Sequence, residues 1–258
     1  MADAGTLPGD GPLLVLCDVS RTLSVTLGRP GSAPPSHRRH TATGQSAEIL
    51  TPLIAEVLAG AGLCPSDLGG IACVRGPGGF TGIRVVLATA LGLSFGAGIP
   101  MAGLDFLPLL AATAARQATG AVVVITHART EQVYLQPFLA DGDALALGPP
   151  EALPLREAAG RVAEAAAVGP LALIGDGVVR YRKTLAAAAP LAVFINTPGP
   201  DPQVLLSAAA RAAYGFAPVT PLYLRPSDAE ENLVELTARR GLSPEVARER
   251  LRRAVADD

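Results

Sequence analysis

A surplus of either charge is missing from this chain: 21 basic residues stand against 23 acidic ones, a formal net charge of -2. That leaves too little positive field to hold nucleic acid by neutralising phosphates, which argues against tight RNA binding by the chain alone. Cysteine is sparse. Cys17, Cys64 and Cys73 are an odd number without CxxC spacing, in a chain too long to need disulfide staples, so a reducing, cytoplasmic setting is expected. Histidine is equally sparse, with only His37, His40 and His127. HExxH and the GxSxG nucleophile elbow are both absent, so metal chemistry or a triad would need one isolated histidine to find partners elsewhere. The first twelve residues are acidic and rich in Gly and Pro, lacking the basic start and apolar core of an export signal.

Apolar residues are what the chain has. At 258 residues, 49% hydrophobic and 17% charged, it has enough to bury a core of one or two domains. Residues 85–104 carry no charge and are long enough to span a bilayer. Gly92, Gly96, Gly98, Pro100 and Gly103 interrupt the run, and no aromatic or lysine anchors flank it, so it reads as a buried helix, a turn and a strand, with no membrane contact.

Residues 13–19 and 23–27 read as a β-hairpin, followed by an exposed turn or edge strand at 37–40. From Ser46 the apolar period changes to three and four: Ile49, Leu50, Leu53, Ile54, Val57 and Leu58 form one stripe on a helix ending at Gly60 or Gly62. Pro52 within it predicts a kinked first turn or a late start. A strand at 70–74 leads into a glycine-rich segment and a helix over 83–97. Helices are expected at 105–117, 154–167, from Val178 and over 202–214, with strands at 121–126, 132–139, 171–174 and 192–195. This mixture gives the α/β class. The expected organisation is a flexible N-terminus (1–12), a first lobe (13–104), a second lobe (105–225) whose last segment can return to the first, and a C-terminal extension (226–258). The extension holds 14 of the 44 charged residues, about three times the density of the rest, and Ser243 with Pro244 starts a helix there.

The most informative segment is RGPGGFTGIR: Arg75, Gly76, Pro77, Gly78, Gly79, Phe80, Thr81, Gly82, Ile83 and Arg84. Four glycines between a strand and a helix allow close approach either of another backbone segment or of an anion. It is no Walker loop, since no lysine stands where GK[ST] requires one, and GxGxxG fails at Thr81. The helix beyond is apolar or small on every face, with Val86 and Leu93, then Leu87 and Ala90, then Gly92 and Gly96. One side therefore packs on the sheet and another meets a second helix or a subunit. Asp18 ends the first strand beside Ser20, where a carboxylate either bonds the amides of its own turn, the commoner role, or holds phosphate-bound metal. Arg180, Tyr181, Arg182 and Lys183 read as a solvated helix face. These residues give no catalytic constellation and no metal site.

Together these segments resemble the TsaB (YeaZ) family, bacterial subunits of the complex that makes threonylcarbamoyladenosine in tRNA. The resemblance covers roughly residues 13–225. It rests most on RGPGGFTGIR, close to the family's RGPGSFTGLR, and is supported by QSAEILTPLIAEVL (45–58), by Gly175, Asp176 and Gly177 after a strand, and by PLYLR (221–225). It implies an actin-like ATPase fold of two lobes, each a mixed sheet flanked by helices, in a non-catalytic subunit. It also implies pairing through the helices at 46–61 and 83–97 with the catalytic subunit TsaD, or with a second copy when alone. Ile49, Leu50, Leu53, Ile54, Val57, Leu58, Val86, Leu87, Ala90, Leu93 and Ser94 are the implied contact residues. TsaE and tRNA would be met through the complex, which uses ATP and Mg, with no cofactor held by this chain. Asp18, Ser20, Gly175, Asp176 and Gly177 are the implied remnants of a nucleotide site.

The chain departs from the family where Asp-Thr-Ser becomes Asp18, Val19, Ser20, and where Asp-Ala-Arg becomes His127, Ala128, Arg129. The second change removes a carboxylate that would serve phosphate-bound metal, which weighs against the rival reading of an active ATPase or phosphotransferase. Gln45 stands where the family has a helix-leading histidine, and the charged extension has no family counterpart.

Overall fold

The opening run LLVLC forms β1 (Leu13–Cys17), and all five residues are buried. A strand this apolar has no wet face. Leu14 and Leu16 join the cluster of α1 (Ser46–Gly60) and α2 (Phe80–Ala97), while Leu13, Val15 and Cys17 join that of α3 (Phe106–Ala115) and α7 (Pro202–Ala210). The computed structural model describes residues 10–20, 22–31, 34–41 and 44–225.

Sheet one has the order β3-β2-β1-β4-β5, adding β2 (Thr22–Gly28), β3 (Ser36–Thr41), β4 (Gly70–Gly76) and β5 (Met101–Asp105). The first three strands are antiparallel, and β1, β4 and β5 run parallel. Sheet two contains β6 (Gly120–Arg129), β7 (Gln132–Asp141), β8 (Asp143–Ala146), β9 (Glu151–Pro154), β10 (Leu171–Ile174) and β11 (Val193–Ile195). Its path is β11-β10-β6-β7-β8, with β9 paired to β7. Each sheet thus has a three-strand antiparallel meander whose first strand starts a parallel run, the same topology twice over. The fold is the α/β, actin-like arrangement of two mixed sheets flanked by helices.

Both sheets belong to one compact unit that ends at Leu224. Helix α7 packs back on β1, β2 and β5. Beyond it Gly215 exchanges two backbone hydrogen bonds with Met101, at 2.8 and 3.0 Å, and the Leu222 amide donates to the Arg75 carbonyl at 2.8 Å. The last described stretch is therefore a strap across sheet one. Residues 1–9 and 226–258, including the helix expected at Ser243, lie outside the described residues.

Several expected boundaries move. Helix α1 starts at Ser46 and carries Pro52 in its interior. Glu48 and Pro52 are both exposed, so the carbonyl that loses its amide partner to proline faces water. Helix α2 begins at Phe80, three residues early, and ends at Gly98 with φ +66°. It is long and apolar enough, by length and composition, to cross a membrane. Here Ile83, Val86, Ala90 and Ser94 are buried on one side, and the helix packs on β4 and β1. The helix expected from Val178 begins at Asp176 as α5 (Asp176–Arg180) and resumes as α6 (Arg182–Ala188). Helix α7 ends at Ala210, short of Tyr214, whose buried ring packs against Gly70.

Candidate functional site

The glycine loop is a junction of backbone segments. The Gly79 amide donates to the Val19 carbonyl at 3.0 Å. A Cβ on Gly78 would stand 2.1 Å from that carbonyl oxygen, and one on Gly82 would stand 2.1 Å from the Asp18 carbonyl oxygen and 2.7 Å from its Oδ2. These glycines let the start of α2 press against the end of β1, which is the first of the two roles open to the loop. Arg75 meets Asp105 through Nε at 2.6 Å. Both side chains are over a third exposed, so the pair contributes under about 1 kcal/mol and serves mainly to orient.

The same loop explains PLYLR. Phe80 stacks on Tyr223 with centroids 4.1 Å apart and planes 14° off parallel, a contact worth about 0.5–1.5 kcal/mol beyond its buried area. Arg84 caps the stack, its Nε donating to the Tyr223 hydroxyl at 3.2 Å and its guanidinium 5.4 Å from the Phe80 centroid. Two segments about 140 positions apart are thereby one clasp.

The contact residues implied for α1 and α2 divide in two. Leu50, Ile54, Val57, Leu58, Val86, Ala90 and Ser94 are 0–5% exposed and are covered by this chain's own sheet and helices, which leaves them little surface to offer a partner. This corrects the expectation for them: the apolar stripe on α1, and the Val86–Ala90–Ser94 row on α2, are core. Ile49, Leu53, Leu87 and Leu93 are half-buried and keep an outer edge. The free surface of α2 lies elsewhere, at Ala88, Gly92, Gly96 and Phe95, which is 71% exposed. On α1 it includes Thr51, Pro52, Ala55 and Ala59, together with the exposed Glu48 and Glu56. Beside α2, Pro65, Ser66 and Leu93 frame a shallow groove with Gly92 and Gly96 as part of its wall. Sequence reasoning named Gly92 and Gly96 as one face of this helix but did not place the contact surface there; helical spacing from Val86 and Ala90 adds Ala88 and Phe95 to it.

Asp18 departs from the commoner of its two sequence readings, a carboxylate satisfied by the amides of its own turn. It is 5% exposed, and its Oδ2 has no hydrogen-bond partner among the described residues. No turn amide among them satisfies that oxygen. Burial pushes the carboxyl above its ordinary value, and the Ser46 hydroxyl at the start of α1 opposes this. The unfolded chain gives up this proton more readily than the folded one. Stability from this group is therefore complete below the unfolded pKa and is lost as pH rises through the folded one. Asp18→Asn should melt above the parent at pH 7, with the difference closing as pH falls through the carboxylate range. A lower melting temperature at pH 7 would mean that the charge is stabilising.

In sheet two, Gly175 has φ +119° and sits with Gly177 against the Ile125 carbonyl. Asp176 accepts the His127 amide on Oδ1 at 2.9 Å. Burial raises its carboxyl and the hydrogen bond lowers it, so its visible work is to tie α5 to β6. Tyr181 is no bystander on a wet helix face: its hydroxyl donates to the Arg129 carbonyl and accepts from the Glu131 amide, both at 3.2 Å. Only Arg180, Arg182 and Lys183 of that cluster are exposed. Among the described residues no three His, Cys, Asp or Glu gather as a metal site. Cys17 and Cys73 are buried, with their thiols pushed up to about 12 by burial, and Cys64 is exposed.

The family described as "TsaD: tRNA N6-adenosine threonylcarbamoyltransferase" matches residues 39–153. The Escherichia coli protein TsaB is 34% identical over 110 residues, 42% of this chain and 45% of that one. Haemophilus influenzae TsaB is 36% identical over 124 residues, 47% and 51% of the two chains. The match thus spans about half the length of these two relatives. An uncharacterized Mycobacterium tuberculosis protein is 32% identical over 185 residues, 71% of this chain and 77% of that one. YeaZ from Pseudomonas aeruginosa superposes with a TM-score of 0.70 at 27% identity, covering 83% of this chain and all of its own. With the fold, the glycine clasp and the relatives in agreement, the chain belongs to the TsaB (YeaZ) family.

Proposed function

We propose that this chain acts in the formation of threonylcarbamoyladenosine in tRNA as a non-catalytic subunit that pairs with TsaD. The observation that carries the reading is the outer face of α2, where Phe95 stands 71% exposed amid Ala88, Gly92 and Gly96. Small residues let another helix approach closely, and a large aromatic in their midst is the kind of side chain that anchors an interface. TsaE and tRNA are met through the complex, ATP and Mg are used by it, and the setting is cytoplasmic. In the absence of TsaD the same face pairs two copies of this chain. The rival reading as an ATPase draws no support from Asp18, whose unpartnered oxygen lies buried against Gly82.

The test is reconstitution with the other subunits, tRNA, threonine, bicarbonate and Mg-ATP, with modified nucleoside read by mass spectrometry. Omitting this chain should reduce product at least tenfold, the scale of a lost binding contact of about 1.4 kcal/mol. Equal product without it would overturn the reading.

A further inference from the structure

On the α7 side of sheet one, away from α1 and α2, polar side chains converge where the sequence shows only an alternating strand. Thr22, Ser24 and Thr26 share one face of β2, and antiparallel pairing sets Ser24 beside Cys17 and Arg39, and Thr26 beside His37. Thr22, Ser24, His37 and Arg39 line an alcove closed by the lip Pro198–Gly199–Pro200, with Cys17 also in its wall and Ser20 contributing as well. The lip is held in place: the Thr197 hydroxyl donates to the Gly199 carbonyl at 2.5 Å, and the Asp201 amide donates to Thr113 Oγ1 at 2.9 Å.

The chemistry of the wall is one-sided. Hydroxyls, an imidazole and a guanidinium line it, and among the described residues no carboxylate does. Asp201, the acidic group that acts on His37, is committed to capping α7 through the Gln203 and Val204 amides at 2.8 and 3.3 Å. Arg39 has no ion pair among the described residues. His37 Nδ1 lies 2.9 Å from Thr26 Oγ1. When Nδ1 accepts that hydroxyl, the ring proton lies on Nε2, a donor. The enclosed space is about 10 Å³, roughly one water, so a ligand enters by a single terminal oxygen and keeps its bulk at the mouth.

We propose that this alcove binds a phosphate group, one oxygen entering among the β2 hydroxyls and the remaining charge met by Arg39 and His37. Charge-assisted hydrogen bonds from a guanidinium are the strong ones for such an oxyanion. The site is independent of the partner face on α2.

Isothermal titration of the full chain at constant ionic strength, with inorganic phosphate, AMP and acetate as probes, tests it. Saturable phosphate or AMP binding that weakens at least tenfold in Arg39→Gln, and also weakens in Ser24→Ala, supports the site. Tighter AMP identifies a phosphate carried on a nucleoside, and tighter inorganic phosphate identifies the free ion. Arg156→Gln, on an exposed helix position of sheet two, should bind as the parent does. Lack of binding by both phosphates, acetate binding as tightly as phosphate, or full binding by Arg39→Gln would overturn the proposal.

Discussion

Phe95→Glu should leave the chain folded and weaken its association with TsaD about a hundredfold or more. The ring is 71% exposed, so in the free chain a glutamate there meets water and the melting temperature should stay within a few degrees of the parent. In the complex the same carboxylate would be buried without a partner, a defect of several kcal/mol, whereas about 2.7 kcal/mol already corresponds to a hundredfold. Ala90→Asp provides the contrast. Ala90 is on the same helix, 0% exposed and packed into the core of sheet one, so its charge should cost about 3–5 kcal/mol of folding stability. Thermal melts and biolayer interferometry on the two variants separate the faces. Unchanged affinity in Phe95→Glu would remove α2's outer face from the interface.

Gly82→Ala has the largest expected effect on folding for the smallest change in chemistry. The added methyl would lie 2.1 Å from the Asp18 carbonyl oxygen, and the obstacle is strand backbone, which cannot turn aside as a side chain can. Overpacking of this kind costs typically 1–3 kcal/mol and more where nothing yields. We expect about 3 kcal/mol, a fall of roughly 10 °C for a chain of this size. Gly79→Ala, three residues earlier, has nothing within 4 Å and φ −65°, so it should melt within a degree or two of the parent. Equal melting of the two variants would show that the loop's glycines do not serve the junction with β1.

The order of elements was legible because the periods are clean: LLVLC reads as a doubly buried strand, the 46–60 stripe as a helix, and Gly98 as its successor's end. Two short strands were not legible. DALA at 143–146 and EALP at 151–154 have neither length nor β-branched residues, and they become strands only because β7 offers them an edge. Burial was the larger gap. The apolar stripe of α1 marked a face correctly but not what covers it, since a core face and an interface face use the same residues. Only the sheet beneath Val86 and Ala90 reveals that Phe95, at the next helical face, is the one left bare. The clasp of Phe80, Arg84 and Tyr223 was invisible for a different reason: spacing along the chain says nothing about contacts made across 139 residues. For Asp18 the sequence could not choose between its two roles: a turn aspartate usually finds amides, but the Oδ2 of this one has none among the described residues and faces the side where Gly82 closes over it.

The central claim is that the outer face of α2 exists to be covered by TsaD. Light scattering on this chain, on purified TsaD and on their mixture tests it most directly. The account predicts a new species with the summed mass of one copy of each, formed at the expense of any dimer of this chain. Two unaltered peaks at micromolar concentrations, with this chain's own mass unchanged, would contradict it.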